Sequence, residues 1–245
     1  MSWGAKPGWA PWEPSPSWDD PPRLPGVEPF ESGDVVTPAG LDELRETTVI
    51  AVLRAPDAEA AAAGVDALVR GGIKGIEITY STPDAAAVIA EVTRRHGEAV
   101  LVGAGTVTAP GQAAEAAAAG ARFLVSPGTR PALAAEMRET GATVMLGALT
   151  PSEVMLAVEL GADVVKVFPA SLGGPAYLKS LRGPFPDVPL MPTGGVSADN
   201  IGQWLAAGAV AVGAGGELCS GADLAAGAYD TIERKARTFM AGVGR

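Results

Sequence analysis

Asp163-Val164-Val165-Lys166-Val167-Phe168-Pro169 is a short apolar run with one lysine at its centre. Valine and phenylalanine favour strands. A run this short, between Gly161 and Pro169, reads as a parallel strand buried on both faces rather than as a helix. An ammonium buried alone is costly, so Lys166 is paired, reaches the surface, or is an amine of lowered proton affinity and hence a nucleophile. The flanking sequence has to choose among these.

Outward from that run, short β-branched stretches alternate with Ala-rich helical stretches from Thr47 onward. Strands are expected at 48–53, 75–79, 99–102, 122–125, 143–146, 163–169, 188–191 and 210–213. The helices between and after them are expected at 57–70, 83–96, 110–119, 131–139, 151–160, 175–181, 198–207 and 222–241. Several of these helices open on proline and stop at glycine, the usual asymmetry of helix ends. Eight β-then-α units in one chain of 245 residues specify an α/β fold, a closed (βα)8 TIM barrel. A doubly wound sheet is the alternative, but it carries its glycine fingerprint after the first strand, where this chain has Arg54-Ala55-Pro56-Asp57. In a barrel, function belongs where the strands end.

Residues 1–40 differ in kind: four of the five tryptophans, Trp3, Trp9, Trp12 and Trp18, stand among prolines with no helical or strand period. We expect a disordered or extended Pro/Trp-rich tail there and the barrel over 41–245. The tail is a docking segment, a flap, or dispensable. It has no basic and apolar signal pattern, which gives a cytoplasmic expectation.

The formal charge of −10 argues against nucleic acid as partner, and the absence of a long apolar run argues against a membrane span. Cys219 is the only cysteine and His96 the only histidine, which removes internal disulfides, histidine triads and imidazole-rich metal sites. Neither metal nor cofactor is expected. Acid–base work falls to carboxylates, lysine, tyrosine, water or substrate groups.

Two charges stand inside apolar strands. Glu77 lies in Gly75-Ile76-Glu77-Ile78-Thr79 as Lys166 lies in its own run. The pair is either an internal salt bridge or the minimal kit for imine chemistry, an amine to condense with a carbonyl and a carboxylate to move protons. After strands seven and eight come Thr193-Gly194-Gly195 and Gly213-Ala214-Gly215-Gly216, the positions where barrels commonly offer backbone N–H groups to a phosphate.

Taken together, several segments resemble one family. They are Val52-Leu53-Arg54, Gly75 to Thr79, Gly103-Ala104-Gly105-Thr106-Val107, Val125-Ser126-Pro127-Gly128, Val165 to Ala170, Gly183-Pro184-Phe185-Pro186 and Pro192 to Val196. In this order they are similar to the 2-keto-3-deoxy-6-phosphogluconate (KDPG) and 4-hydroxy-2-oxoglutarate (KHG) aldolases. The resemblance implies a homotrimeric class I aldolase acting on a small keto acid. By it, Lys166 forms the Schiff base and Glu77 moves protons. Arg54 and Thr106 hold the pyruvate carboxylate, Pro127 and Phe168 shape the pocket, and Thr193, Gly194, Gly195, Gly215 and Gly216 receive the phosphate.

The chain departs from that pattern twice. Ser81 stands where some members have a carboxylate-binding arginine, and Gly216, followed by Glu217, stands where many have a phosphate-binding serine. The expected reaction is cleavage of 2-keto-3-deoxy-6-phosphogluconate to pyruvate and glyceraldehyde 3-phosphate. Cleavage of KHG or of the galactonate epimer is the alternative. A metal-dependent barrel enzyme and a catalytically silent barrel with a docking tail are the competing readings.

Overall fold

The computed structural model describes residues 39–244, and the Pro/Trp-rich tail lies outside the described residues. Helix α1 (Ala39–Thr47) leads into β1 (Val49–Leu53), α2 (Ala58–Arg70), β2 (Gly75–Thr79), α3 (Ala85–His96), β3 (Leu101–Gly105) and α4 (Gln112–Ala118). Then come β4 (Phe123–Val125), α5 (Pro131–Glu139), β5 (Thr143–Ala148), α6 (Pro151–Glu159) and β6 (Val164–Val167). The chain finishes with α7 (Gly174–Leu181), β7 (Leu190–Pro192), α8 (Ile201–Ala206), β8 (Val212–Ala214), α9 (Gly221–Ala225) and α10 (Tyr229–Val243).

All neighbouring strands are parallel, in the order β7-β6-β5-β4-β3-β2-β1-β8, and a parallel bridge between Thr193 and Gly213 joins the two ends. This is the (βα)8 barrel. Its strands are buried along nearly their whole length, which explains why they read as continuous apolar runs. Local chemistry sets the helix starts. Asp57 caps α2 by accepting from the Ala60 N–H at 2.8 Å, and Thr150 with Glu153 forms a capping box before α6. Each such cap is worth about 1 kcal/mol.

Alternate strand residues separate two apolar layers. Val49, Ala51, Leu53, Ile76, Ile78, Val165 and Val167 pack outward against the helices. Ile50, Leu101, Phe123, Val125, Met145, Val164, Met191 and Ala211 fill the barrel interior together with Leu41 and Leu44. Those two leucines come from α1, which the sequence pattern did not call. Their packing on these interior residues plugs the barrel where the strands begin, which leaves the end where the strands finish for a polar site. The pattern also misplaced two other elements. Gly103-Ala104-Gly105 is buried strand rather than loop, and the expected last helix is broken into α9 and α10, with Gly227 at φ +63° between them.

Candidate active site

Side chains alternate along a strand, so a residue two places beyond an inward one also faces inward. Val164 faces the barrel interior. Lys166 therefore does too, in register with Gly147 on β5 and Met191 on β7. Glu77 is brought inward by β2, and the two charges meet: Lys166 Nζ lies 3.4 Å from Glu77 Oε1. Lys166 is 4% exposed and Glu77 is fully buried. The surface-facing alternative for Lys166 is thereby removed. Its ammonium also sits 5.4 Å from the centroid of the Phe168 ring, within cation–π range.

Glu77 Oε2 is buried with no hydrogen-bond partner among the described groups. A carboxylate with one oxygen on an amine and the other unengaged is equipped to accept a proton. An unsatisfied buried acceptor also calls for a reason beyond stability.

Room for this pair is made by glycine. A Cβ on Gly105 of β3 would stand 1.9 Å from Glu77 Oε1, and one on Gly213 would stand 2.2 Å from Thr193 Oγ1. On Gly147 it would meet the Pro127 carbonyl at 2.2 Å, so the Pro127 peptide lies directly over the strand paired with Lys166. Gly105 and Gly213 stand in quoted motifs, but the space they leave for Glu77 and Thr193 was not read from them, and Gly147 was not singled out at all. The available signal was their inward parity at the level of the two charges.

Beside the pair opens a cavity of about 310 Å³ bounded by Arg54, Phe168, Thr193, Gly194, Gly195, Gly215 and Gly216, with Val52, Val196, Glu217, Cys219 and Gly221 completing the wall. Seven of the eleven expected site residues thus share one cavity. Gly194 and Gly195 take φ of +95° and +75°, a turn open to glycine and strained for other residues. Their loop is held by Asn200, whose Nδ2 donates to the Gly195 carbonyl at 2.8 Å. Thr193 Oγ1 is buried without a partner among the described residues.

Thr106 and Pro127 follow β3 and β4 at the same end of the barrel but do not line this cavity. Thr106 holds φ +54°, a left-handed conformation rare for a β-branched residue and a form of strain concentrated at functional sites.

Cys219 is not a competing nucleophile: burial, reinforced by Asp223 and opposed by Lys235, pushes its thiol up to about 12. His96 ends α3, as the helix expected over 83–96 has it, and meets Asp66 at 3.0 Å. Among the described residues no group of three His, Cys, Asp or Glu is arranged to hold a metal ion, and no helix is long and apolar enough to cross a membrane.

Residues 41–235 match the family described as KDPG and KHG aldolase. The chain is 36% identical over 205 residues to the 2-dehydro-3-deoxy-phosphogluconate aldolase of Treponema pallidum, covering 83% of this chain and 96% of that one. It is 34% identical to the 2-dehydro-3-deoxy-6-phosphogalactonate aldolase of Escherichia coli, over 69% and 83% of the two chains. Among solved structures it resembles the KDPG aldolase of Legionella pneumophila, crystallised with pyruvate captured as a covalent carbinolamine. There the TM-score is 0.74 at 31% identity, over 80% of this chain and 95% of that one. A buried lysine–carboxylate pair at the strand ends of a (βα)8 barrel, matched along most of its length, establishes that this chain belongs to the KDPG and KHG aldolase family of Schiff-base, carbon–carbon lyases.

Proposed function

We propose that the protein cleaves 2-keto-3-deoxy-6-phosphogluconate reversibly to pyruvate and glyceraldehyde 3-phosphate through an imine on Lys166. The observation that carries this is the 3.4 Å contact between two buried groups, Lys166 and Glu77. Glu77 takes a proton from the ammonium, and the free amine adds to the substrate's C2 carbonyl. Glu77 returns the proton as the carbinolamine loses water to the iminium. The C4 hydroxyl proton then passes to Glu77 or to a water it holds. The C3–C4 bond breaks, its electrons enter the enamine, and the aldehyde leaves. Protonation at C3 and hydrolysis of the imine release pyruvate and the lysine.

In this reading Arg54 and Thr106 hold the carboxylate beside the imine, with Pro127 and Phe168 framing it. Thr193, Gly194, Gly195, Gly215 and Gly216 take the phosphate, through backbone N–H groups at the glycines. Glu217 lines the same cavity, and its charge opposes a phosphate there. That observation favours a second reading in which unphosphorylated KHG is turned over comparably well. A homotrimer is part of the proposal, supported by exposed Met155 and Val158 on α6 and by Leu172 after β6. So is a cytoplasmic location.

Residues 1–36 are proposed to lie outside the catalytic unit. A chain shortened to begin at Thr37 should keep full turnover, whereas one beginning at Thr47, which lacks Leu41 and Leu44 of the barrel core, should unfold more readily. Borohydride added with pyruvate should fix a covalent adduct on Lys166, found by mass spectrometry of the peptide. No adduct, or turnover surviving Lys166→Ala, overturns the proposal. Full activity after EDTA treatment separates it from a metal-dependent route.

A further inference from the structure

Arg54 is exposed, lines the substrate cavity, and makes no ion pair with another described residue. It follows β1 directly, where the strand ladder has ended, yet both peptide groups flanking it are held by side chains, one from the last residue of β2 and one from the turn after it. The Thr79 hydroxyl donates to the Leu53 carbonyl at 2.9 Å. The Ala55 N–H donates to the Thr82 hydroxyl at 3.1 Å. Thr79 is fully buried and Thr82 is 2% exposed, so neither bond is shared with bulk solvent.

The end of β2 and the turn after it, which carry the two threonines, are themselves fixed. The Tyr80 N–H donates to the Gly105 carbonyl at 2.8 Å, and the Thr82 N–H to the Thr79 carbonyl at 2.9 Å. Thr79 also meets the Ser81 hydroxyl at 2.7 Å. A line of hydrogen bonds therefore runs from β3, beside the carboxylate of Glu77, through this turn to the backbone on either side of Arg54.

We propose that Thr79 and Thr82 are positioning residues that clamp the Arg54 backbone so that its guanidinium meets the substrate carboxylate. The inference rests on the reading of Arg54 as the carboxylate ligand. Arginine has a long flexible stem, and it discriminates geometry only if its Cα is fixed. Elsewhere in the chain buried threonines could serve packing alone. Here two hydroxyls take the carbonyl before and the N–H after one exposed cation, which packing does not require.

The test measures KM for pyruvate in the condensation direction, kcat, and thermal unfolding for the full chain and its variants. Arg54→Ala should raise the pyruvate KM strongly. Thr82→Val keeps the side-chain shape but removes the acceptor. It should raise that KM about tenfold, the effect of one lost hydrogen bond to a buried group, with a much smaller change in kcat. Thr82→Ser should restore KM, and Thr79→Ser should keep it. In an Arg54→Ala background, Thr82→Val should add nothing further to KM. An unchanged KM for Arg54→Ala overturns the carboxylate assignment itself. A raised KM for Arg54→Ala with wild-type KM for Thr82→Val overturns the clamp alone. So does a Thr82→Val effect that persists undiminished without Arg54. If Thr82→Val unfolds, Thr79→Ser and Thr82→Ser still decide: loss of pyruvate affinity in these hydroxyl-retaining variants contradicts the proposal.

Discussion

Gly105→Ala adds one methyl group at the end of β3, and its cost can be worked from the geometry. The new Cβ would stand 1.9 Å from Glu77 Oε1 and 2.4 Å from both Cγ and Cδ. Ordinary contact is about 3.5 Å, so the carboxylate must retreat by roughly 1.5 Å or the strand must shift. Glu77 is fully buried, and the Oε1 atom that the new methyl would meet is the one that contacts Lys166 at 3.4 Å, so displacing it disturbs that contact directly. A displacement of about 1 Å in a catalytic group costs on the order of a hundredfold, and general acid–base catalysis contributes roughly 10²–10⁴ in all. We therefore expect kcat to fall into that range, with a stability loss of about 1–3 kcal/mol from overpacking. The backbone at Gly105 is not left-handed, so alanine brings no conformational strain of its own. The assay is steady-state release of pyruvate, with circular dichroism to confirm the fold. Because both changes act through one carboxylate, Gly105→Ala should slow Glu77→Gln little further. A folded Gly105→Ala enzyme with parental kcat would refute the assignment of Glu77 as the proton carrier.

Lys166→Met strands the buried Glu77 carboxylate, so urea unfolding should show a loss of roughly 3–5 kcal/mol, most of it returned by adding Glu77→Gln. A single variant as stable as the parent would contradict the coupling. Glu217→Gln should lower KM for the phosphorylated substrate several-fold and change that for KHG less. Gly216→Ser, whose Cβ meets nothing within 4 Å, should act in the same direction. Equal effects on both substrates would remove Glu217 from the phosphate subsite.

Asp163, the first residue of the quoted run, has its carboxyl held above the ordinary value because burial outweighs the Val144 N–H bond and nearby Arg138. A raised native pKa means the native state binds the proton more tightly. That contribution to stability is complete below the unfolded value of about 3.9 and is lost as pH rises through the native one. Asp163→Asn keeps an acceptor for Val144, so it should raise Tm at pH 7 and do so less at pH 3. Equal shifts at both pH values would refute the reasoning.

Much of this was legible in the chain. Alternating β-branched and Ala-rich stretches, with proline and glycine at helix ends, carried the barrel, because these are local preferences that act within a few residues. Lys166 and Glu77 stood out for a similar reason: a charge inside an apolar run is conspicuous wherever the run ends up. Less legible was α1, whose Leu41 and Leu44 gain their meaning only from the open end of a barrel built by residues far along the chain. The strand at Leu101–Gly105 was misplaced because glycine weakens any local strand signal, and only the Glu77 carboxylate across the ladder explains why Gly105 has no side chain.

By itself, then, the sequence determined the repeat, the barrel and the two charges that name the chemistry, since composition and period are properties of short segments. The tertiary structure alone decided that those charges, 89 residues apart, meet at 3.4 Å. It also decided that Arg54 and the glycines of the last two strands border one cavity, and that Arg54 is held by two buried threonines. Strand register and shear set these distances, and they follow from closing the ring, which no single segment encodes.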